Sequence, residues 1–191
     1  MIGSTVRRLV LVAALLATAL TAPPAHAQSA PRAADYVTFF STNMGLWNLR
    51  TRQRIITCQE HEMVGWPTFN AVNLETEAFT NCTDSLNFSL NAQATGIWKY
   101  KTLTSYPPSS LTTISITQIS LHFSGVSCSI TVTGGSPGIY DSAGAAMALA
   151  ALQPNPDKVT LIASGVVSCF GLVTNGDLLE WRGDYTVDPP L

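Results

Sequence analysis

The sequence predicts an all-β protein, an antiparallel β-sandwich or small barrel, which follows an N-terminal signal peptide. Three observations indicate this fold class: apolar and polar residues alternate in short segments, turn residues recur at short intervals, and helical periodicity is nearly absent. Alternation with a period of two places one set of side chains on each face of a strand. Short strands joined by turns, with no helices between them, are typical of sandwiches and barrels.

The N-terminal segment has the parts of a secretory signal. Arg7 and Arg8 precede the apolar run 9–20, and a segment of small residues ends at Ala27. The run is shorter than the roughly 20 residues that a membrane-spanning helix needs. We therefore expect cleavage after Ala27, secretion of residues 28–191, and no transmembrane anchor in the mature form.

The charge balance argues against nucleic acid as a partner. Removal of the signal leaves eight basic and twelve acidic side chains, a net charge of −4 with histidine neutral. Binding to phosphates needs clustered basic residues. Arg50, Arg52 and Arg54 come closest to a cluster, but their alternation predicts one solvated face of a strand.

Four cysteines remain in the mature chain: Cys58, Cys82, Cys128 and Cys169. An even number in an oxidising compartment indicates two disulfides, and no pair has the close spacing of a zinc site. Three pairings are compatible with the sequence. We favour Cys58 with Cys82 and Cys128 with Cys169, because this pattern follows an internal echo of the chain.

The echo divides residues 28–191 into two related halves, about 35–105 and 106–191. A Val-x-Leu sequence begins ten residues before Cys82 and again ten before Cys169, and a tryptophan and a tyrosine follow each cysteine. Two half-units, each with its own disulfide, would explain the pattern. Chance similarity between β-rich segments explains it equally well.

Individual strands and turns are visible in the second half. Apolar residues alternate from Ile114 to Phe123 with one slip between Ile116 and Ile119, which predicts a long strand with a β-bulge. Residues 134–138 (GGSPG) are typical of a turn. The alanine-rich segment 144–152 fits either a short helix or a buried strand.

The C-terminal half resembles a widespread type of secreted actinobacterial protein of unknown function. The segments that carry the resemblance are 127–134 (SCSITVTG), 138–141 (GIYD), 166–177 (VVSCFGLVTNGD) and 183–187 (GDYTV). The likeness covers roughly residues 111–188. It implies a β-rich exported protein with disulfides, and it supplies no activity, ligand or catalytic residue.

Glu60, His61 and Glu62 form one candidate site. Two carboxylates beside an imidazole could hold a divalent cation or poise the histidine as a base. We prefer the simpler interpretation, a charged loop beside a disulfide. The other mature histidine, His122, alternates with apolar neighbours and is predicted on the solvent face of a strand.

Tryptophans and paired carboxylates form the second group of candidates. Exposed Trp66, Trp98 or Trp181, together with Trp47, could stack on sugar rings, although tryptophans of β-proteins more often pack in a core. The nearest carboxylate pairs for glycoside hydrolysis are Glu75 with Glu77 and Asp177 with Glu180.

These observations predict a non-enzymatic binding module that acts outside the cell or at the cell envelope. The chain lacks the HExxH pattern, and it has no cofactor motif. One alternative is a secreted hydrolase, carbohydrate-active or other, that uses Glu60, His61 and Glu62 or a carboxylate pair. Another is a carrier whose β-core encloses a small apolar ligand.

Overall fold

The computed structural model describes residues 36–68, 71–105, 109–150 and 159–191. The predicted signal peptide and its cleavage site lie outside these residues. The described chain forms eleven strands: β1 (Val37–Ser41), β2 (Met44–Asn48), β3 (Gln53–Pro67), β4 (Ala71–Asp84), β5 (Ser89–Ala94), β6 (Trp98–Ser105), β7 (Leu111–Ser124), β8 (Cys128–Asp141), β9 (Ala146–Leu149), β10 (Leu161–Ser168) and β11 (Leu178–Asp188). A short 3-10 turn, Cys169–Gly171, follows β10.

The strands close into an eight-stranded antiparallel β-barrel, so the predicted fold class is confirmed. The five long strands, β3, β4, β7, β8 and β11, each occupy one position in the wall. Two short strands share each of the remaining positions: β1 and β2 lie between β11 and β3, β5 and β6 between β4 and β7, and β9 and β10 between β8 and β11. Closure removes most of the edge that an open sheet would expose to other chains.

At each of these three wall positions, one short strand lies toward one end of the barrel and the second lies toward the other end. The β2 end contains β2, β5 and β10, and the β1 end contains β1, β6 and β9. On β4, residues 75–81 pair with β3 alone, because β5 pairs with β4 only at Cys82 and Thr83 and β6 only at 71–74. This part of the wall is therefore joined on one side only.

Inward side chains from all parts of the wall form one continuous hydrophobic core. Strand alternation determines which side chains belong to this core, because every second residue of a strand points into the barrel. The largest completely buried side chains include Trp98, Trp181, Tyr100, Phe39 and Phe123. Aromatic rings are thus the largest side chains of the interior, and aliphatic side chains occupy most of its other positions.

The predicted bulge lies in β7 and is confirmed. Ile116 pairs with Ser136 and Ile119 with Gly134, so two residues of β7 oppose one residue of β8. Gln118, one of the two, has a left-handed φ of 61°. The slip in the alternation is therefore the register shift that returns both isoleucines to the interior.

The prediction of a turn at residues 134–138 is wrong, because these residues lie within β8. A Cβ at Gly135 would lie 2.8 Å from the carbonyl oxygen of Ile116, and one at Gly138 would lie 2.6 Å from that of Ala148. These glycines are needed for close approach of neighbouring backbones rather than for chain reversal. Within β8, the segment lies between the residues that pair with β10 and the residues that pair with β9.

Both predicted disulfides are present, and both pairings are confirmed. Cys58 and Cys82 are directly opposite each other on β3 and β4, while Cys128 at the start of β8 is bonded to Cys169 after β10. The described part of the alanine-rich segment forms β9, which settles the choice between helix and strand there. The division into two related halves stays a prediction.

Candidate functional site

The Glu60–His61–Glu62 segment lies within β3 rather than in a loop. His61 points into the barrel and is completely buried, whereas Glu60 and Glu62 are exposed. Glu60 accepts a hydrogen bond from the Thr80 hydroxyl on the outer face of β4. Strand alternation thus places the imidazole and the two carboxylates on opposite faces of the wall, and the structure does not bring them together.

A hydrogen-bonded chain fixes the state of His61. Trp181 Nε1 donates to the Tyr185 hydroxyl at 2.9 Å, and that hydroxyl lies 2.8 Å from His61 Nδ1. The indole nitrogen can only donate, and the phenol has one hydrogen, so we assign that hydrogen to the bond with Nδ1. The proton of the neutral imidazole then resides on Nε2, which is buried and has no hydrogen-bond partner among the described residues.

Burial keeps His61 uncharged. Desolvation lowers its pKa to about 3, and the ring stacks on Phe79 at a centroid distance of 4.0 Å. Trp181 lies 5.0 Å away on another side. The neutral imidazole is enclosed by aromatic rings inside the barrel, and its surroundings differ from the exposed, carboxylate-bordered site that the sequence suggested.

The tryptophan candidates fall into two groups. Trp98 and Trp181 are completely buried and meet edge to face at 5.6 Å, so neither ring is exposed for stacking on a sugar. Trp66 is 39% exposed, lies 4.1 Å from the Tyr36 ring, and donates its indole N–H to Glu75. Trp66 is therefore the only member of the predicted trio at the surface.

The carboxylate pairs are also separated. Glu75 is exposed and bonded to Trp66, whereas Glu77 pairs in register with completely buried Met63 and has one buried oxygen without a partner in the described structure. Desolvation raises the pKa of Glu77 to about 7. Asp177 and Glu180 form ion pairs with different arginines: Asp177 with Arg50 at 2.9 Å, and Glu180 with Arg182 at 2.6 Å.

An aromatic and cationic surface occupies the outer side of β11, β2 and β3. We call it the Trp47 face and define it by Trp47, Arg54, Glu180, Arg182 and Asp184. In register, Trp47 lies between Glu180 of β11 and Arg54 of β3. The guanidinium carbon of Arg182 lies 4.5 Å from the centre of the Trp47 ring, a cation–π contact.

Gly45 creates room for this arrangement. A Cβ at Gly45 would lie 3.2 Å from Arg54 Cδ and 3.3 Å from Trp47 Nε1. The missing side chain therefore lets the arginine stem and the indole ring lie close to the β2 backbone. A larger residue at this position would push both side chains outward.

The two arginines of the Trp47 face differ in their partners. Arg182 forms an ion pair with Glu180, and this hydrogen bond raises the pKa of Arg182. Arg54 is exposed and forms no ion pair with any residue that the structure describes. One guanidinium group is thus held in place over the ring, while the other remains open to a ligand.

Three surface depressions adjoin Trp47. Their volumes are about 450, 180 and 570 Å³, and each includes at least one arginine of the face. Sequence reasoning named Trp47 and Arg54 but could not place them beside Arg182. The adjacency arises because β2 and β11 pair in the wall, although they are distant in sequence.

Other classes of site receive no support from the described residues. Within ranges 36–68, 71–105, 109–150 and 159–191, no three histidine, cysteine or acidic residues are grouped so that they could hold a metal ion. The same part of the chain contains no helix with the length and apolar character required to cross a membrane.

Comparison with protein-family models, curated proteins and solved structures found no match. The resemblance to secreted actinobacterial proteins therefore stays a prediction. The candidate site rests on the geometry of this chain alone, and the Trp47 face is the surface where an exposed cation, an aromatic ring and open volume coincide.

Proposed function

We propose that the protein is a non-enzymatic binding module of the extracellular space or cell envelope, and that it binds its ligand on the Trp47 face. One observation carries this proposal: Trp47 has the Arg182 guanidinium over its ring and exposed Arg54 opposite it in register, lies beside Gly45, and borders three depressions. The two disulfides support an oxidising compartment outside the cytosol.

The chemistry of the face favours an acidic saccharide. Arg182 lies over the centre of the half-buried Trp47 ring, so the part of the indole that stays exposed would contact a sugar with its apolar edge and polar N–H. An arginine presents a planar fork of N–H donors that matches a carboxylate. Arg54 is available for this role because it has no ion-pair partner among the described side chains.

The carboxylates of this region favour binding over hydrolysis. Glu180 is paired with Arg182, and Asp84, which borders one depression, accepts hydrogen bonds from the backbone N–H groups of Leu86 and Phe88. A glycosidase needs one carboxyl to donate a proton and another to attack or activate water across the same bond. Glu180 and Asp84 are committed to structural bonds, and exposed Asp184 alone does not supply the required pair.

The packing of the interior favours surface binding over transport inside the barrel. Trp98 and Trp181 are in ring contact with each other and with His61 across the centre. A carrier of the kind predicted from composition would instead enclose a continuous apolar cavity. The outer face therefore remains the preferred ligand surface.

Titration with two hexasaccharides tests the proposal. We expect hexagalacturonate, which is acidic, to bind more tightly than neutral maltohexaose in isothermal titration calorimetry. Trp47→Ala should weaken binding of hexagalacturonate by about tenfold or more, as for truncation of a central aromatic contact. Arg54→Gln should remove the preference for the acidic sugar, and added salt should weaken binding by the wild type.

Trp66→Ala is the matched control, because Trp66 is the exposed tryptophan outside the Trp47 face. Its affinity should equal that of the wild type. The proposal is overturned if neither saccharide binds, if Trp47→Ala binds as well as the wild type, or if Trp66→Ala is the variant that loses binding.

A further inference from the structure

A separate depression lies at the β1 end of the barrel. It has a volume of about 170 Å³, and its apolar lining comes from Pro67, Ala71, Val72 and Leu191. The hydroxyl-bearing residues that line it are Thr68, Tyr100 and Thr102. None of these residues belongs to the Trp47 face, so the depression is independent of the surface proposed above.

Tyr100 is the buried member of this lining with an unused polar group. Its side chain is only 2% exposed, and its hydroxyl has no hydrogen-bond partner within the described chain. Burial raises the pKa of Tyr100, with a further contribution from nearby Tyr140, so the phenol keeps its proton. The hydroxyl is therefore a permanent donor that folding has removed from water and left without an acceptor.

The neighbouring phenol shows the contrast. The Tyr140 hydroxyl accepts a hydrogen bond from the Leu191 backbone N–H at 2.8 Å and donates to the Leu191 carbonyl oxygen at 3.4 Å. Tyr140 is thus satisfied by the same residue that forms part of the wall of the depression. An orphaned buried hydroxyl is unfavourable unless something completes its bond, and such groups are rare in folded proteins.

We infer that the depression binds a compact, mostly apolar molecule with one acceptor oxygen, such as a small ketone, aldehyde or ester, whose oxygen accepts a hydrogen bond from Tyr100. The volume suits this class, because an apolar cavity of about 150 Å³ is large enough for benzene. Pro67, Ala71 and Val72 contact the body of the ligand. The phenol supplies the single directional contact that selects for the oxygen.

Two ligands of equal size and different polarity test the inference. Cyclohexanone carries the acceptor oxygen, and methylenecyclohexane replaces that oxygen with a CH₂ group. In NMR titrations of the wild type, we expect cyclohexanone to shift the backbone amides of Ala71, Val72 and Thr102 and to bind about threefold to tenfold more tightly than methylenecyclohexane. Tyr100→Phe should keep the weak binding of the hydrocarbon and lose the preference for the ketone.

Tyr36→Phe is the control, because it removes a phenolic hydroxyl that lies outside the depression. This variant should retain the preference of the wild type for cyclohexanone. The inference is overturned if cyclohexanone leaves the three amides unshifted, which would show that the depression does not bind the ketone. It is also overturned if Tyr100→Phe binds the ketone as tightly as the wild type.

Discussion

Polar side chains on the inner and outer faces of the barrel wall differ in charge and in the bonds that they form. Trp181 and Arg182 are consecutive in β11, yet Trp181 is completely buried beside a neutral histidine, whereas Arg182 pairs with Glu180 and covers Trp47 outside. Here the interior groups are uncharged, with His61 and Trp181 sharing the Tyr185 hydroxyl, whereas the exterior groups Arg182 and Glu180 form an ion pair. One wall can thus provide stability from its inner face and recognition from its outer face, and substitutions should separate the two roles.

Replacement of each tryptophan by alanine is the strongest test of this comparison. Trp181→Ala leaves a cavity beside Trp98 and removes the donor to Tyr185, so we expect a loss of about 5 kcal/mol in the free energy of unfolding. Trp47→Ala removes a half-buried ring and should cost about 1 kcal/mol. Urea denaturation measures both, and equal losses would contradict the division of roles.

Acid should act on the interior through His61. Its pKa is about 3 when folded and 6.5 in the reference state, so the stability due to the neutral ring is complete above pH 6.5 and lost as the pH falls. Between pH 6 and pH 4 this loss amounts to about 1.4 kcal/mol per pH unit, about 3 kcal/mol in all.

His61→Gln serves as the comparison for the acid prediction, because glutamine can still accept from Tyr185 but does not titrate. Denaturant titrations at pH 6, 5 and 4 should show a steeper loss in the wild type than in the variant. Carboxylates such as Asp177 contribute equally to both proteins. Parallel pH profiles would show that His61 does not titrate differently in the two states.

Glu77 should act in the opposite pH direction with a smaller effect. Its folded pKa of about 7 exceeds the reference value of 4.5, so the stability due to its protonated form is complete below pH 4.5 and lost as the pH rises toward 7. The residue is only half-buried, in the part of β4 that pairs with β3 alone, so water screens its charge. We expect a loss of about 1 to 2 kcal/mol.

Glu77→Gln removes this loss while keeping the shape of the side chain. Relative to the wild type, the variant should gain about 1 to 2 kcal/mol in unfolding free energy between pH 4 and pH 8. Glu75→Gln, on the exposed neighbour, is the control for the loss of a carboxylate from β4, and the gain of Glu77→Gln should exceed any change in this variant. A constant difference between Glu77→Gln and the wild type would indicate that the carboxyl is fully solvated.

Local patterns predicted those parts of the fold that depend on neighbouring residues. The slip between Ile116 and Ile119 predicted the β7 bulge because alternation alone reveals a change of face. The glycines at 134–138 led to the wrong prediction of a turn. In sequence, a glycine that permits two backbones to approach cannot be told from one that permits a turn. Only the positions of β9 and β10 beside β8 distinguish the two cases.

The candidate site was less accessible to sequence reasoning for the same reason. Alternation alone could have indicated that His61 and its flanking glutamates face opposite ways, had the segment been recognised as a strand. The meeting of Trp47 with Arg182 depends on a pairing between β2 and β11 that no spacing in the chain reveals. The orphaned Tyr100 hydroxyl likewise emerges only from three-dimensional packing.

The division of one wall position between β5 and β6 has a practical consequence for engineering. Their junction, residues 95–97, leaves the side of the barrel, with Ile97 51% exposed and open space around Gly96. Exposed connections of this kind tolerate inserted sequence well. A peptide tag or a small fluorescent domain placed there would project sideways, away from both barrel ends, and would provide an immobilisation handle.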